Sequence, residues 1–141
     1  MLTSALFQPA YGCFPRWPEE GTSWIHPDDV DIMLALIPSA RIFRREWRGG
    51  EYSRLIYGEH EIRAKPAMWH VVVPPRFDVG DEVEIRSQMG KRRPGLAIVR
   101  EVVWNRHTSS AQYELEQREM MLPQFFDDTD LTPVEFPHET G

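Results

Sequence analysis

Between residues 26 and 38, apolar side chains recur at every third or fourth position, which would place them on one face of a helix. Pro27 suits the first turn of a helix, because its missing N–H would have no partner there anyway. The acidic residues that follow it are favourable in the first turn, because the N-terminal end of the helix dipole is positive. Pro38 ends the segment. The pattern predicts one N-terminal helix. Its apolar face would consist of Val30, Met33, Leu34 and Ile37.

From residue 40 the pattern changes to alternation and to short apolar runs separated by turn residues, which is typical of β-strands. It predicts an antiparallel meander with strands at 40–47, 51–58, 61–66 and 68–73. Residues 1–25 follow neither period and contain three prolines, so we expect an irregular arm that lies across its own core and buries its aromatic side chains. The alternative is that this arm is a proline-rich ligand for a partner domain.

The Pro74-Pro75 pair should stop strand pairing and is the best candidate for a boundary. Five further strands are predicted at 81–87, 95–105, 111–118, 120–126 and 131–136. Because closure removes exposed edges, we expect these five to form a small closed barrel. The predicted fold class is therefore mainly β (α+β), with one N-terminal helix and an antiparallel meander packed against a C-terminal barrel. The predicted segments are 1–75 for arm, helix and meander, 76–137 for the barrel and 138–141 for a tail.

The five-strand segment carries a recognisable pattern of a hydrophobic–Gly–Asp–Val opening, a Gly-led second strand, a Tyr-x-Leu third strand and an aromatic fourth strand before an Asp-Leu turn. Over about 60 residues it resembles the SH3-like small β-barrels of the Tudor and KOW type. Pro123 departs from that pattern and implies a bulge or an edge strand, and a phase switch near Arg100 implies a bent strand. The residues that carry the resemblance are Phe77, Gly80, Asp81, Val83, Gly95, Tyr113, Leu115, Phe125, Phe126, Asp130 and Leu131.

The whole chain also resembles an uncharacterised bacterial family in which an "IHPDD" helix and an Arg-x-x-Pro-x-x-Trp stretch precede the barrel. Arg63, Pro66 and Trp69 would be the positions of that stretch. The resemblance brings no assigned activity. The segments "ARIFRREW" and "LAIVREVVW" each precede a loop and a tyrosine-containing strand, so the N-terminal meander is either a degenerate second barrel or a chance likeness.

Charge is distributed unevenly along the chain. Residues 1–76 carry nine acids and nine bases, whereas residues 77–141 carry thirteen acids and seven bases, a net charge of −6. A nucleic acid bound through its phosphates needs a basic face, so this balance disfavours nucleic acid as the main partner. A local basic patch keeps nucleic-acid binding as the alternative. That patch would comprise Arg86, Lys91, Arg92, Arg93 and Arg106.

Catalytic and cofactor-binding motifs are not found in the sequence, so we expect a protein that is not an enzyme and that uses no cofactor. His26, Asp28 and Asp29 resemble a metal site, but capping of the helix explains the same residues, and no metal site is predicted. Cys13 is expected to be a spectator thiol. Without a run of about 20 apolar residues, the predicted location is the cytoplasm, with no membrane partner. An enzyme of unknown class, built from residues distant in sequence, is the less favoured alternative.

SH3-like barrels bind ligands between their hairpin loops, and Tudor-like members surround a methylated cation with aromatic rings. The predicted function is therefore a non-catalytic interaction module that binds an unknown protein or peptide partner. For its aromatic residues, the favoured interpretation is that they fill the core, with only one of Phe125 and Phe126 facing outward, and a ligand cage is the other; Trp104 is expected to be partly exposed. The predicted ligand-binding residues are Trp104, Tyr113, Phe125, Phe126, Asp127 and Asp128.

Overall fold

The computed structural model divides the chain into two compact units, Met1–Pro74 and Pro75–Gly141. It describes residues 10–88 and 95–134. Each unit contains one five-stranded antiparallel sheet, and the fold is mainly β with one short α-helix. Among the described residues, no helix is long and apolar enough to span a membrane.

The N-terminal unit has the strand order β4-β3-β2-β1-β5. Buried and partly exposed positions alternate most clearly along β3, where every second residue is buried. This sheet therefore has one face turned to a core. Its strands are β1 (Ala10–Cys13), β2 (Phe43–Glu46), β3 (Ser53–Tyr57), β4 (His60–Ala64) and β5 (His70–Val71).

The arm predicted to be irregular supplies strand β1, so that prediction is wrong for Ala10–Cys13. This strand pairs with β2 on one side and with β5 on the other. The meander prediction holds for β2, β3 and β4, but β5 does not pair with β4. Four residues flanked by prolines are too short to show an alternating pattern, which is why the sequence did not reveal the strand. The expected burial of arm aromatics is confirmed at Phe14 and Trp24, each 2% exposed.

The predicted helix is present as a 3-10 turn, Pro27–Asp29, that continues into α1 (Val30–Leu36). Its buried residues are Met33, Leu36 and the following Ile37, while Leu34 is 54% exposed. The predicted apolar face is thus wrong at Leu34. A helix of two turns buries a narrower stripe than the i, i+3, i+4, i+7 pattern assumes.

The segment before the helix covers the outer edge of β4. The N–H of His26 donates to the carbonyl of Arg63 at 2.9 Å, and the N–H of Lys65 donates to the carbonyl of Trp24 at 2.6 Å. Asp29, which is buried, accepts hydrogen bonds from the backbone N–H of Arg63 at 2.8 Å and from its Nε at 2.9 Å. These contacts attach the connection between β1 and β2 to the sheet. They also provide hydrogen-bond partners for backbone groups at the edge of β4 that would otherwise be unpaired.

Replacing Asp29 with Asn should lower the free energy of unfolding by about 1.5 kcal/mol at pH 7, because the hydrogen bonds to Arg63 lose their charge. The Arg63 guanidinium holds the pKa of Asp29 below its ordinary value. A lowered folded-state pKa gives stability that is present above the unfolded pKa, about 3.9, and is lost as the pH falls through the folded pKa. Urea unfolding should therefore separate wild type and Asp29→Asn at pH 7 and bring them together near pH 2.

The exposed Asp31, on the same helix, provides the matched control. Asp31→Asn should change the unfolding free energy by no more than about 0.5 kcal/mol. Equal effects of the two substitutions at pH 7 would contradict the role assigned to the Asp29–Arg63 pair.

The C-terminal unit has the strand order β10-β6-β7-β8-β9, with all neighbours antiparallel. The predicted closure is wrong, since β9 and β10 lie at opposite edges of the described sheet. The 3-10 turn Asp128–Asp130 leads into the three-residue β10, which pairs with β6. Pro123 lies in β9 and has no N–H to donate to a further strand. The strands are β6 (Glu82–Ile85), β7 (Leu96–Asn105), β8 (Ser110–Gln117), β9 (Met120–Asp127) and β10 (Leu131–Pro133).

Both predicted irregularities of this sheet are confirmed. The register between β7 and β8 shifts between Val99 and Glu101, which leaves Arg100 as an extra residue. The register between β8 and β9 shifts between Glu114 and Glu116, opposite the part of β9 that contains Pro123. Because a bulge resets the alternation, Val99 and Val102 are both buried although they are three residues apart.

The two sheets share one connectivity. In each unit the first strand lies between the second and the fifth, and the third and fourth follow outward from the second. The first two strands of the N-terminal unit are joined by the segment that contains α1, whereas β6 and β7 are joined by residues 86–95. The long connection thus belongs to the N-terminal unit, and it carries the residues described next.

Candidate functional site

The aromatic residues predicted to bind a ligand are divided between the two faces of the C-terminal sheet. Directly opposed residues of neighbouring strands point to the same face, and Tyr113 is opposite Phe126. Trp104, opposite the buried Ala111, belongs to that same face, whereas Phe125 is opposite Glu114 on the other. Phe125 is 50% exposed and Phe126 is buried. The four predicted aromatic rings therefore do not all lie on one face of the sheet.

Tyr113 is fully buried and holds the start of the C-terminal unit in place. Its hydroxyl oxygen accepts from the backbone N–H groups of Arg76 at 3.0 Å and Phe77 at 3.4 Å. The same hydroxyl donates to Asp128 Oδ1 at 2.5 Å. Burial, and then the Asp128 carboxylate, raise the pKa of Tyr113 well above its ordinary value. The tyrosine is thus a neutral, structural hydrogen-bonding group.

Asp127 and Asp128 are occupied by the turn that leads into β10. The side chain of Asp127 and that of Asp130 cap each other's backbone, and Asp127 also accepts from Gln112 Nε2 at 3.0 Å. Asp128, besides binding Tyr113, offers its carbonyl to Arg76 at 3.0 Å. Trp104 is half-buried near the end of β7. The contacts of these carboxylates are those of a turn and strand junction.

Two of the five basic residues of the nucleic-acid alternative lie in the part of the chain that the structure describes. Arg86 is exposed in a 3-10 turn that follows β6, and Arg106 is exposed after β7. They lie beyond opposite ends of β7, roughly 30 Å apart for ten extended residues. Arg86 and Arg106 do not form one patch. The remaining three, residues 91–93, lie outside the described residues.

A groove with a volume of about 500 Å³ lies in the N-terminal unit, between the segment after β1 and the segment that leads into β5. The volume is within the range of sites that bind a small molecule or a few side chains. Aromatic and apolar side chains, with charged groups among them, form its walls. The groove is lined by Phe14, Pro15, Arg16, Trp17, Pro18, Glu19, Glu20, Met68, Trp69 and His70.

Trp69 is positioned by a glycine in β1. A Cβ atom at Gly12 would lie only 2.5 Å from the Trp69 ring, so the indole packs directly on the glycine backbone. The ring of Phe14 lies 5.6 Å from that of Trp69, and Phe14 also contacts the rings of Trp24 at 5.3 Å and Phe43 at 5.9 Å. The absence of a side chain at Gly12 is therefore what allows this wall of the groove to form.

The Trp69 ring already carries a cation. The guanidinium carbon of Arg45 lies 4.7 Å from the ring centroid, the geometry of a cation–π interaction. A second cation at the same ring would meet the positive charge of Arg45. This part of the groove consequently disfavours a cationic ligand group.

Trp17 also lines the groove and is fixed by its own loop. Its Nε1–H donates to the carbonyl of Gly21 at 2.5 Å, and its ring lies 6.0 Å from that of the buried Trp24. The indole remains half-buried, with part of its surface accessible. A pre-positioned ring loses little conformational entropy when it binds a ligand.

Three strongly exposed apolar side chains lie in and around β5. Met68 is 84% exposed, Val71 is 68% exposed and Val73 is 62% exposed. Single exposed apolar residues are ordinary on a protein surface, but here three lie within six residues of the chain, next to segments that line the aromatic groove. The charged residues that line the groove, Arg16, Glu19 and Glu20, are exposed.

The sequence did not predict this groove. Its aromatic residues were noted in the arm, and Trp69 in the Arg-x-x-Pro-x-x-Trp stretch, but the pairing of β1 with β5 is what joins them. A glycine between two aromatic residues, Tyr11 and Phe14, was the available signal, because such a gap admits a ring from elsewhere.

The other candidate chemical groups have structural partners. His26 Nδ1 accepts from the N–H of Asp28 at 3.1 Å, so it caps the helix as expected. Within residues 10–88 and 95–134, no three His, Cys, Asp or Glu side chains are grouped to hold a metal ion. Cys13 is buried, and desolvation raises the pKa of its thiol, which reduces its reactivity.

The fold and groove define a mainly β protein of two five-stranded units with an aromatic surface on the first. The chain belongs to a family of unknown function, DUF6960, whose model matches residues 5–132 and so spans both units. The comparison with curated proteins and the comparison with solved structures each returned no match.

Proposed function

We propose that this chain is a non-catalytic peptide-binding protein and that its ligand surface is the groove of the N-terminal unit. The observation that carries the proposal is the wall of Trp17 and Trp69 beside Met68, which is 84% exposed. Rigid aromatic rings next to accessible apolar side chains are the usual composition of the energetically important part of a protein interface.

The proposed ligand is an extended peptide segment with apolar side chains. The groove is too open and too mixed in charge to enclose a polar metabolite, since Arg16 and the two glutamates at its rim differ in sign. Arg45 over Trp69 disfavours a cationic anchor such as methyl-lysine at that ring. An apolar side chain can cover Trp17, Trp69 and Met68 together.

A random 12-residue peptide library displayed on phage tests this proposal, with the full chain as bait. Peptides selected on wild type should bind Met68→Ser about tenfold more weakly, because burial of a methionine side chain contributes about 1.5 kcal/mol or more. Isothermal titration calorimetry would give the dissociation constants.

The matched control is Met120→Ser, because Met120 is 70% exposed in the other unit. This substitution should leave peptide affinity unchanged within about twofold. Selection of no peptide, or selection of peptides whose affinity drops with Met120→Ser and not with Met68→Ser, would overturn the proposal.

Nucleic-acid binding, the alternative, finds little support in the described residues, since Arg86 and Arg106 lie beyond opposite ends of β7. A filter-binding titration with mixed-sequence RNA and single-stranded DNA at about 20 mM salt tests it, because phosphate contacts are strongest at low ionic strength. We expect no saturable binding. Tight binding that weakens steeply with added salt would favour nucleic acid over peptide.

We also propose that both units are open relatives of SH3-like barrels. Their shared strand order, with the first strand between the second and the fifth, supports this, and so does the 3-10 turn before β10. A cytoplasmic location remains the prediction made from the sequence.

A further inference from the structure

We propose that the peptide binds by strand addition: it pairs with the open edge of β5 as a sixth strand of the N-terminal sheet and places one side chain in the groove. This inference rests on the proposed function and specifies how the same site recognises its ligand. It commits to an extended peptide whose alternate side chains are apolar.

The direction of the main-chain groups at Val71 is the first argument. The N–H of Val72 donates to the carbonyl of Tyr11 at 3.0 Å, toward β1. Main-chain groups alternate in direction along an antiparallel strand, so the N–H and C=O of Val71 point away from β1. Among the described residues, β5 is the last strand on that side of the sheet. These two groups are therefore positioned to pair with a further strand.

The side chains beside this edge are the second argument. Val71 is directly opposite Gly12 and so projects on the face where the Trp69 ring lies. Trp69, Val71 and Val73 alternate along the chain, and the two valines are more than half exposed. A peptide paired with β5 would place every second side chain on this face. Apolar residues at those positions would cover the valines and reach the groove.

The other edges of the described sheets are less suitable. The outer edge of β4 is covered by the segment Trp24–His26, which bonds to residues 63 and 65. Strand β9 contains Pro123 at a bulge, and β10 contains Pro133. Proline and bulges at an edge oppose pairing with another chain. The edge at Val71 is the one that combines outward main-chain groups with an adjacent aromatic groove.

Hydrogen exchange of the full chain, measured by NMR with the tightest 12-residue peptide from the phage selection, tests the inference. The Val71 amide should exchange at least tenfold more slowly in the complex. A peptide that shifts the signals of Trp17 and Met68 but leaves Val71 exchange unchanged would overturn strand addition and leave the proposed function standing. Failure to select any peptide would overturn both.

Substitutions in the protein and N-methylation of the peptide test the same hydrogen bonds. Val71→Pro removes the outward N–H, so it should weaken binding at least tenfold relative to Val71→Ala, which keeps the N–H although it loses two methyl groups. Thermal unfolding checks that Val71→Pro is folded. If it is not, the wild-type chain is titrated with peptides N-methylated at one position each. Strand addition predicts losses at alternate positions, and losses without that period-two pattern would contradict it.

Discussion

Gly12→Ala should lower the free energy of unfolding of the N-terminal unit by about 2–3 kcal/mol and should abolish peptide binding. The added Cβ would lie 2.5 Å from the Trp69 ring, and two further ring atoms are at 2.7 Å. The indole must move, because the β1 backbone is held between β2 and β5. Overpacking of this kind typically costs about 1–3 kcal/mol, and here it also separates Trp69 from Phe14.

Urea unfolding followed by tryptophan fluorescence suits this prediction, since four of the five tryptophans precede residue 75. Gly50→Ala is the matched control in the same unit, because a Cβ there has its nearest neighbour at 3.9 Å. Its unfolding free energy should stay within about 0.5 kcal/mol of wild type. An equally stable Gly12→Ala variant would show that Trp69 does not lie on Gly12.

Tyr113→Phe should lower the free energy of unfolding of the C-terminal unit by about 2–3 kcal/mol. The hydroxyl that it removes accepts from the N–H groups of Arg76 and Phe77 and donates to Asp128. Loss of this one hydroxyl therefore leaves two N–H groups and one carboxylate without this hydrogen-bond partner. The loss costs more free energy than the loss of an ordinary exposed hydrogen bond. Circular dichroism during urea unfolding measures the effect.

Tyr52→Phe provides the comparison, because Tyr52 is only half-buried and its ring contacts His26 and Lys65. It should change stability by no more than about 0.5 kcal/mol. Similar stability losses for the two tyrosines would contradict the bridging role of Tyr113. Peptide affinity should be unaffected by both substitutions, since neither residue lines the groove.

Local patterns were sufficient to predict most strands. The alternation of β6 and β8 can be read directly from the sequence. The bulge at Arg100 follows from a phase change in the pattern, and the irregularity at Pro123 follows from its missing N–H. Strand β1 could not be predicted in this way, because a strand of four residues contains too few positions to show a period.

The groove depends on contacts between distant parts of the chain. Gly12 and Trp69 are 57 residues apart in sequence, and nothing near either of them indicates that they meet. In contrast, the predicted site in the C-terminal unit relied on residue type and on the resemblance to Tudor-like barrels. Tyr113 and Phe126 are large apolar residues on a buried face, where core packing takes precedence over ligand binding.

The most direct test of peptide binding at the N-terminal groove is chemical-shift mapping of the isotope-labelled full chain with the selected 12-residue peptide. We predict that the largest shifts cluster at residues 14–20 and 68–73, including the indole N–H signals of Trp17 and Trp69. Largest shifts along β7, β8 and β9, with the groove signals unmoved, would contradict this account.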